Sequence, residues 1–495
     1  MKSRMPDINV IFLFISGCIL TFLFIGKQSL WLDETLTLQI ASQWDSMWSV
    51  LLNKEPYMWL YYVLVFLWTR FGSTEIYVRS LSAVFAIASI PILYRITESL
   101  YGKRVAVFAG IMILLHPMYI HYAQEVRSYS LLLLLVSIAT LYFIKSVKSP
   151  TIKHLSLYIL ACSASIYTHH VALFYVLAHI GTALTIKISH KHRIALFLSY
   201  AVLCVSILPY TYFRVAPENI TWIPQLSVPV LFQFATTVMG GNYVLLALYV
   251  LALIHSGYVI WSGYMKSQKK YDASRWLMMN MLWIPVVGMC ILSVVVSPIL
   301  YPRFLLPSVI PIVILSSVGI LGISNRKVAL FYLGVLLLTS AIRLSQYYRG
   351  DSILPGSYFT GKENWRGATK HIGAQAKNDE AIVFYAYYSE IPYTYYTDRL
   401  AASGYTFPKK YQLSSSPYRF GGVLPEPSTG LINQLGNSKT PAWLVVSHSQ
   451  DQGLRRDAQL RLVMDEFAKL YSIEQITHFT GVDVYKFRPN TTYPL

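Results

Sequence analysis

Two adjacent carboxylates, Asp33 and Glu34, follow just after the first strongly apolar run of the chain (Val10 to Gly26), and four further charges beside later apolar runs bear on the same chemistry. These are Glu55, the Glu125 and Arg127 of HYAQEVRSY (121–129), and the Arg303 of YPRFLLP (301–307). A carboxylate takes a proton from a hydroxyl, and a guanidinium fork holds a phosphate as leaving-group charge develops on it. Those two roles together describe glycosyl transfer from a lipid phosphate. Each residue also has a plainer reading. Asp33 suits a helix N-cap, with Thr35–Leu38 beginning an amphipathic helix. Glu34 and Glu55 suit solvated positions, Glu125 and Arg127 suit a mutual salt bridge, and Arg303 suits a side chain snorkelling at a helix start. Adjacent His169 and His170 do not share one helix face and fit a turn better than a ligand set.

The elements that must position these residues are membrane helices. Of the 495 residues, 55% are hydrophobic and 13% charged, against about 25% charged in soluble chains. A spanning helix needs about 20 apolar residues. Runs near that length occur at 9–26, 78–97, 105–121, 129–145, 155–168, 170–187, 194–213, 242–262, 276–297, 304–323 and 328–345, with a shorter aromatic one at 57–71. The net charge of +18 lies in short clusters between these runs, the pattern of membrane topology rather than of nucleic-acid binding. With Lys2/Arg4, Lys103/Arg104, Lys145/Lys148/Lys153, Lys187/Lys191/Arg193, Lys266/Lys269/Lys270/Arg275 and Arg326/Lys327 all on the cytoplasmic side, the chain crosses eleven times provided that 57–71 does not cross. That segment is then re-entrant or interfacial, and Asp33, Glu125, Arg303 and everything after about 346 lie outside.

From 346 the composition turns polar. Apolar alternation at 381–387 and 442–447, a helical stretch at 455–470 and a last strand at 482–487 predict a small α/β domain. The expected fold is therefore mainly α: a polytopic α-helical membrane protein with about 11–13 transmembrane helices over 1–345, a first outer loop with interfacial helices at 27–77, and an extracytoplasmic α/β domain over 346–495. The N-terminal run reads as an uncleaved first helix. Cys18, Cys162, Cys204 and Cys290 all fall in or beside apolar runs and offer no disulfide framework or CxxC metal motif. The acceptor patterns for N-glycosylation at Asn219 and Asn490 carry no assignment.

The segments that hold these charges resemble those of the GT-C superfamily of membrane glycosyltransferases, in the branch of protein O-mannosyltransferases and lipid A aminoarabinose transferase. The resemblance rests on WLDETLTLQIASQ (31–43), EPYMWLYYVL (55–64), YVRSLSAVFA (77–86), LYGKRVA (100–106), HPMYIHYAQEVRSYSL (116–131), YTHHVALFYVLA (167–178), YPRFLLPSVIP (301–311) and ENWRGATKHI (363–372). It implies a polyprenyl-phosphate-linked sugar as donor, a hexosyl or pentosyl group transferred with inversion, and a lipid, polysaccharide or protein acceptor. It also implies a prokaryotic inner membrane as the location, with the reaction on the outer face. Carried onto this chain, it implies that Asp33 is the acid/base carboxylate, with Glu34 and Glu125 as further acidic site residues. Arg127 and Arg303 would contact donor phosphate, with Lys54, Glu55, Tyr61 and Tyr122 in the same segments. Some relatives bind a divalent cation, for which His169 and His170 are the candidates here. One departure stands out: Glu55-Pro56 occupies the place where the family has a cation before its proline, and Lys54 is only adjacent. Rival classes are a flippase of lipid-linked sugars, which calls for repeated halves, and a cell-envelope scaffold with dispensable carboxylates.

Overall fold

The structure is a computed structural model that describes residues 7–42, 58–186, 188–212, 223–267, 273–352, 361–385, 387–411, 429–437, 439–447 and 454–490. Lys54 and Glu55 lie outside them. The chain divides into two compact units, one made of Met1–Ile25, Gln43–Arg349 and Ile353–Pro355, the other of Gly26–Ser42, Gly350–Ser352 and Gly356–Leu495.

The first unit is helical. Its helices are α1 (Ile8–Phe22), then, after a second helix that belongs to the other unit, α3 (Trp59–Thr69), α4 (Glu75–Tyr101), α5 (Lys103–Leu114), α6 (Pro117–Ala123), α7 (Tyr129–Lys148), α8 (Ile152–Thr168), α9 (Ala172–Thr185), α10 (His190–Tyr212), α11 (Val228–Val238), α12 (Tyr243–Ser267), α13 (Ala273–Val295), α14 (Val309–Leu321) and α15 (Arg326–Arg349). A 3-10 turn, Pro302–Ser308, leads into α14. Among the described residues seven helices are long and apolar enough to cross a membrane, and α5 with α6 makes an eighth if that bent pair is one span. The other apolar runs fold as shorter helices. The expected run 9–26 is the 15-residue α1, and 57–71 is the 11-residue α3, about 16 Å at 1.5 Å per residue and roughly half a bilayer core. Between α10 and α12 stands α11, whose Ser227 side chain caps it by accepting from Val230 N.

Sequence explains the breaks. The run 105–121 bends by 62° between α5 and α6, because Pro117 disfavours helical dihedrals at His116, which is extended (φ −79°, ψ 114°). Gly102 separates α4 from α5 at φ +87°, a conformation that residues with a Cβ adopt poorly. Helix α14 is apolar all round and buried along its whole length, as a central helix must be. It packs on α12, α13, α5 and α4. By contrast, α10, α12, α13 and α15 carry exposed Leu208, Ile254, Trp283 and Phe331, apolar faces suited to lipid. At Gly319 α14 lies close against α12: an added Cβ would stand 2.1 Å from the carbonyl oxygen of Ala252.

The second unit joins α2 (Leu32–Ser42) to the C-terminal sequence: α16 (Trp365–Gln375), β1 (Ala381–Phe384), α17 (Glu390–Leu400), β2 (Lys409–Tyr411), α18 (Thr429–Asn437), β3 (Ala442–Ser447), α19 (Leu454–Leu470), β4 (Tyr471–Phe479) and β5 (Val482–Pro489). The sheet order is β2-β1-β3-β5-β4. Strands β1, β2 and β3 are parallel, with Ala381 opposite Ala442 and Lys409, and β5 runs antiparallel to both β3 and β4. Side chains alternate across it. Ala381, Val383, Leu444 and Val446 pack with Ile432 of α18 and Val463 and Phe467 of α19. On the opposite face, Phe384 meets Tyr393 of α17 and Trp443 meets His371 of α16. Helices thus cover both faces, which is why β1 and β3 are buried at every position. The expected strands at 442–447 and 482–487 and the helix at 455–470 are present, whereas of the expected strand at 381–387 only Ala381–Phe384 is strand and Tyr387–Ser389 is a 3-10 turn. Strands β2 and β4 and helices α16, α17 and α18 are additional.

Candidate active site

In the helical unit the site is built around Tyr129. The segment before it is fixed from three sides. Gln124 Nε2 donates to the carbonyls of Thr21 and Leu23 at the end of α1, both at 2.8 Å, and Gln124 Oε1 accepts from Tyr347 OH at 3.2 Å. Ser130 Oγ donates to Tyr122 O at 2.8 Å. The Arg127 amide donates to Glu125 O at 2.8 Å, a tight turn in which 125–128 leave the helical path between α6 and α7. Ser82 Oγ of α4 donates to Arg127 O at 3.3 Å and shares a 2.8 Å hydrogen bond with Tyr61 OH. Tyr61, a substrate-binding candidate from sequence, is fully buried and reaches this turn through Ser82.

Two guanidiniums far apart in the helical sequence lie near one ring. The Cζ atoms of Arg127 and Arg303 each lie 6.0 Å from the Tyr129 centroid, and Arg303 also lies 5.0 Å from Tyr301 and 5.8 Å from Phe304. Tyr122 packs edge-on to Tyr129 at 5.0 Å and is within electrostatic reach of both Glu125 and Arg303. Glu125 is fully buried, and its Oε2 lies 3.2 Å from His121 Nε2, one helical turn back. His169 and His170 stand in the turn between α8 and α9 with rings 4.7 Å apart, and His169 lies 5.0 Å from Phe304 and 6.1 Å from Tyr129. Burial pushes His170 down to about 4. Burial, then His170 and the two guanidiniums, hold His169 well below the usual histidine range. Both rings are thus neutral near pH 7, beside two fixed positive charges. Among the described residues no three His, Cys, Asp or Glu side chains converge as a metal-binding group.

The acidic pair belongs to the second unit. Helix α2 starts at the pair, with the amides of Glu34 and Thr35 donating to Trp31 O. Its seat is made by distant sequence. Tyr396 OH accepts from Leu30 N at 2.8 Å and bonds Ser29 Oγ at 3.0 Å, Arg366 N donates to Ser29 Oγ at 3.0 Å, and Leu32 N donates to Glu363 Oε2 at 3.3 Å. Leu32 packs on Tyr388 and Ile391. Within the pair the environments differ. Glu34 is fully buried and its Oε2 lies 3.3 Å from Lys362 Nζ, itself 6% exposed, whereas Asp33 is only half-buried. Sequence reasoning missed Lys362 and Glu363, which stand immediately before the quoted 363–372 segment or open it. It also missed His121, for which the spacing of four to Glu125 on a helix was the available signal.

This architecture is the GT-C fold, a bundle of membrane helices with a small C-terminal sheet domain. Residues 54–213 match the model of the dolichyl-phosphate-mannose-protein mannosyltransferase family. The structure is similar to that of ArnT from Cupriavidus metallidurans in the apo state, with a TM-score of 0.61 and 14% identity over 96% of this chain and 97% of that one. It is also similar to the same protein bound to undecaprenyl phosphate, with a TM-score of 0.55 and 15% identity over 97% and 98%. A third similarity is to the Archaeoglobus fulgidus oligosaccharyltransferase in complex with Zn and sulfate, with a TM-score of 0.55 and 12% identity over 96% of this chain and 72% of that one. No curated protein matches the chain.

Proposed function

We propose that this protein is an integral-membrane glycosyltransferase that moves a hexosyl or pentosyl group from a polyprenyl-phosphate donor to an acceptor hydroxyl, with inversion, on the outer face of a prokaryotic inner membrane. The observation that carries this reading is the pair Arg127 and Arg303 on one buried aromatic ring among apolar helices. Two guanidiniums close to one another in such surroundings are suited to hold an anion. A lipid phosphate, with its tail among helices and its charge at their ends, is an anion that reaches them. The match to a dolichyl-phosphate-mannose-dependent family and the fold shared with a protein crystallised with undecaprenyl phosphate support the same class of ligand.

In this reading the acceptor oxygen attacks the anomeric carbon from the side opposite the phosphate. The bond from that carbon to the phosphate oxygen breaks, and its electron pair leaves with the phosphate. Arg127 and Arg303 stabilise the second negative charge that the phosphate gains. Asp33 takes the acceptor's proton. Glu34, held by Lys362, keeps the start of α2 in place instead of reacting. One displacement inverts the centre. The acceptor is a lipid, a polysaccharide or a protein. Replacing Asp33 with Asn removes the base at constant shape. The expected result, with purified protein, radiolabelled polyprenyl-phosphate sugars and a membrane lipid extract, is loss of labelled product with unchanged binding of undecaprenyl phosphate; an undiminished rate removes Asp33 from the mechanism. Movement of the labelled donor across vesicles without product identifies a flippase instead.

A further inference from the structure

His169 and His170 attract attention from sequence as metal candidates, yet the structure surrounds His169 with cations and aromatic rings. Arg127 comes from the turn before α7, Arg303 from the 3-10 turn, Tyr129 from α7, Phe304 from the 3-10 turn and His170 from its own turn. Such surroundings repel a metal ion and favour an anion. The ring is 4% exposed. Its backbone is extended (φ −167°, ψ 128°), and its amide closes α8 by donating to Ser165 O at 2.9 Å. Its Nδ1 accepts the backbone N–H of Val171 at 3.3 Å. A nitrogen that accepts an amide hydrogen bond carries no proton, so in the neutral ring the proton is on Nε2. The main chain therefore sets the tautomer, and the edge bearing Nε2 is a donor.

We propose that His169 is a third ligand of the donor phosphate, giving its Nε2–H to a phosphate oxygen beside Arg127 and Arg303. This rests on the lipid-phosphate reading above and adds a reason for a neutral group there. The donor phosphodiester carries one negative charge and the polyprenyl phosphate left behind approaches two. Two guanidiniums match the product, and a third cation would hold it too tightly for release. A neutral donor adds a directed hydrogen bond, stronger as the oxygen becomes more negative, without adding net charge.

The test uses the full chain in nanodiscs and undecaprenyl phosphate as the probe, with undecaprenol, which lacks the phosphate, as the control lipid. A glutamine amide reaches the position of Nε2, whereas an asparagine amide reaches only that of Nδ1. His169→Gln is expected to keep the wild-type Kd for undecaprenyl phosphate within about threefold. His169→Asn and His169→Ala are expected to weaken it at least tenfold, as loss of a hydrogen bond to a charged group implies. Undecaprenol binding and the thermal midpoint of His169→Asn are expected to stay near wild type. Equal affinity for all three variants, or equal loss that includes His169→Gln, overturns the proposal. Arg303→Ala separates the two levels. If it weakens undecaprenyl phosphate binding while the histidine variants do not, only the role of His169 falls. If wild type does not prefer undecaprenyl phosphate over undecaprenol, the lipid-phosphate reading falls with it.

Discussion

At the scale of single residues, burial divides the charges by task. Glu34 and Lys362 form a buried pair, and removing one partner leaves a desolvated charge, which costs about 3 kcal/mol or more. Lys362→Met is therefore expected to lower the chemical-denaturation midpoint of the second unit. The double variant Glu34→Gln/Lys362→Met is expected to recover most of that loss; a double variant as unstable as the single one overturns the pairing. Asp7 shows the opposite regime at a solvated position. Its Oδ2 meets Lys103 Nζ at 2.9 Å and accepts from Tyr94 OH at 2.9 Å. The Lys103 hydrogen bond, then the Asn9 amide, holds its carboxyl down at about 2, from an ordinary 3.8. Because the folded value is the lower one, the stability from this contact is complete above pH 4 and is lost as the pH falls from about 4 towards 2. Asp7→Asn is expected to melt below wild type at pH 6, with the two curves converging near pH 2. A gap that does not change with pH excludes the ionised contact as its cause.

At the scale of elements, the seats of the site depend on close backbone approach and on a few polar ties. Gly319 lets α14 lie against α12, where His255 Nδ1 bonds Gly319 O at 2.8 Å. Small residues at helix contacts serve this purpose in membranes. Gly319→Ala forces the pair apart and is expected to cost about 1–3 kcal/mol, read as a lower thermal midpoint in detergent; an unchanged midpoint shows that α12 and α14 do not need this contact. Tyr396 is the corresponding tie for α2, with two hydrogen bonds to residues 29 and 30. Tyr396→Phe is expected to reduce kcat several-fold while leaving undecaprenyl phosphate affinity unchanged, since the arginines proposed as phosphate ligands belong to the other unit. An equal loss of phosphate affinity would contradict that division. Elements were legible in the sequence where burial is uniform: the four residues of β1 and the six of β3 are apolar runs because both faces are covered. They were not legible where one face is wet. Strand β4 alternates exposed and half-buried positions through polar residues such as Glu474 and Gln475, and its pairing to β5 comes from the Thr480-Gly481 hairpin, with Gly481 at φ +68°.

At the scale of the whole molecule, the sequence reading assigned Asp33 and Glu34 to a loop of the membrane domain, whereas Gly26–Ser42 belongs to the same compact unit as the C-terminal sheet. No local pattern announces this. The hydrogen bonds that seat α2 join residues separated by 331 to 367 positions, and such pairings leave no periodic mark in either partner. The guanidinium site was more legible, because Arg127 and Arg303 are rare charges in apolar surroundings and rarity is visible in a sequence. What brought them to one ring, the turn at 125–128 and the 3-10 turn at Pro302–Ser308, was not.

The separation of Leu30 from Tyr396 by 366 residues also has a meaning in time. At about 5–20 residues per second, a ribosome needs roughly twenty seconds to a minute to make the tyrosine after it has made the leucine. By the end of that interval the helices on either side of Arg127 and Arg303 have all been synthesised, while the acidic helix still has no seat. The nascent chain thus acquires the two arginines proposed to hold the phosphate first and its seated carboxylates last, so the proposed transfer would begin only after the C-terminal sequence has been translated and has folded.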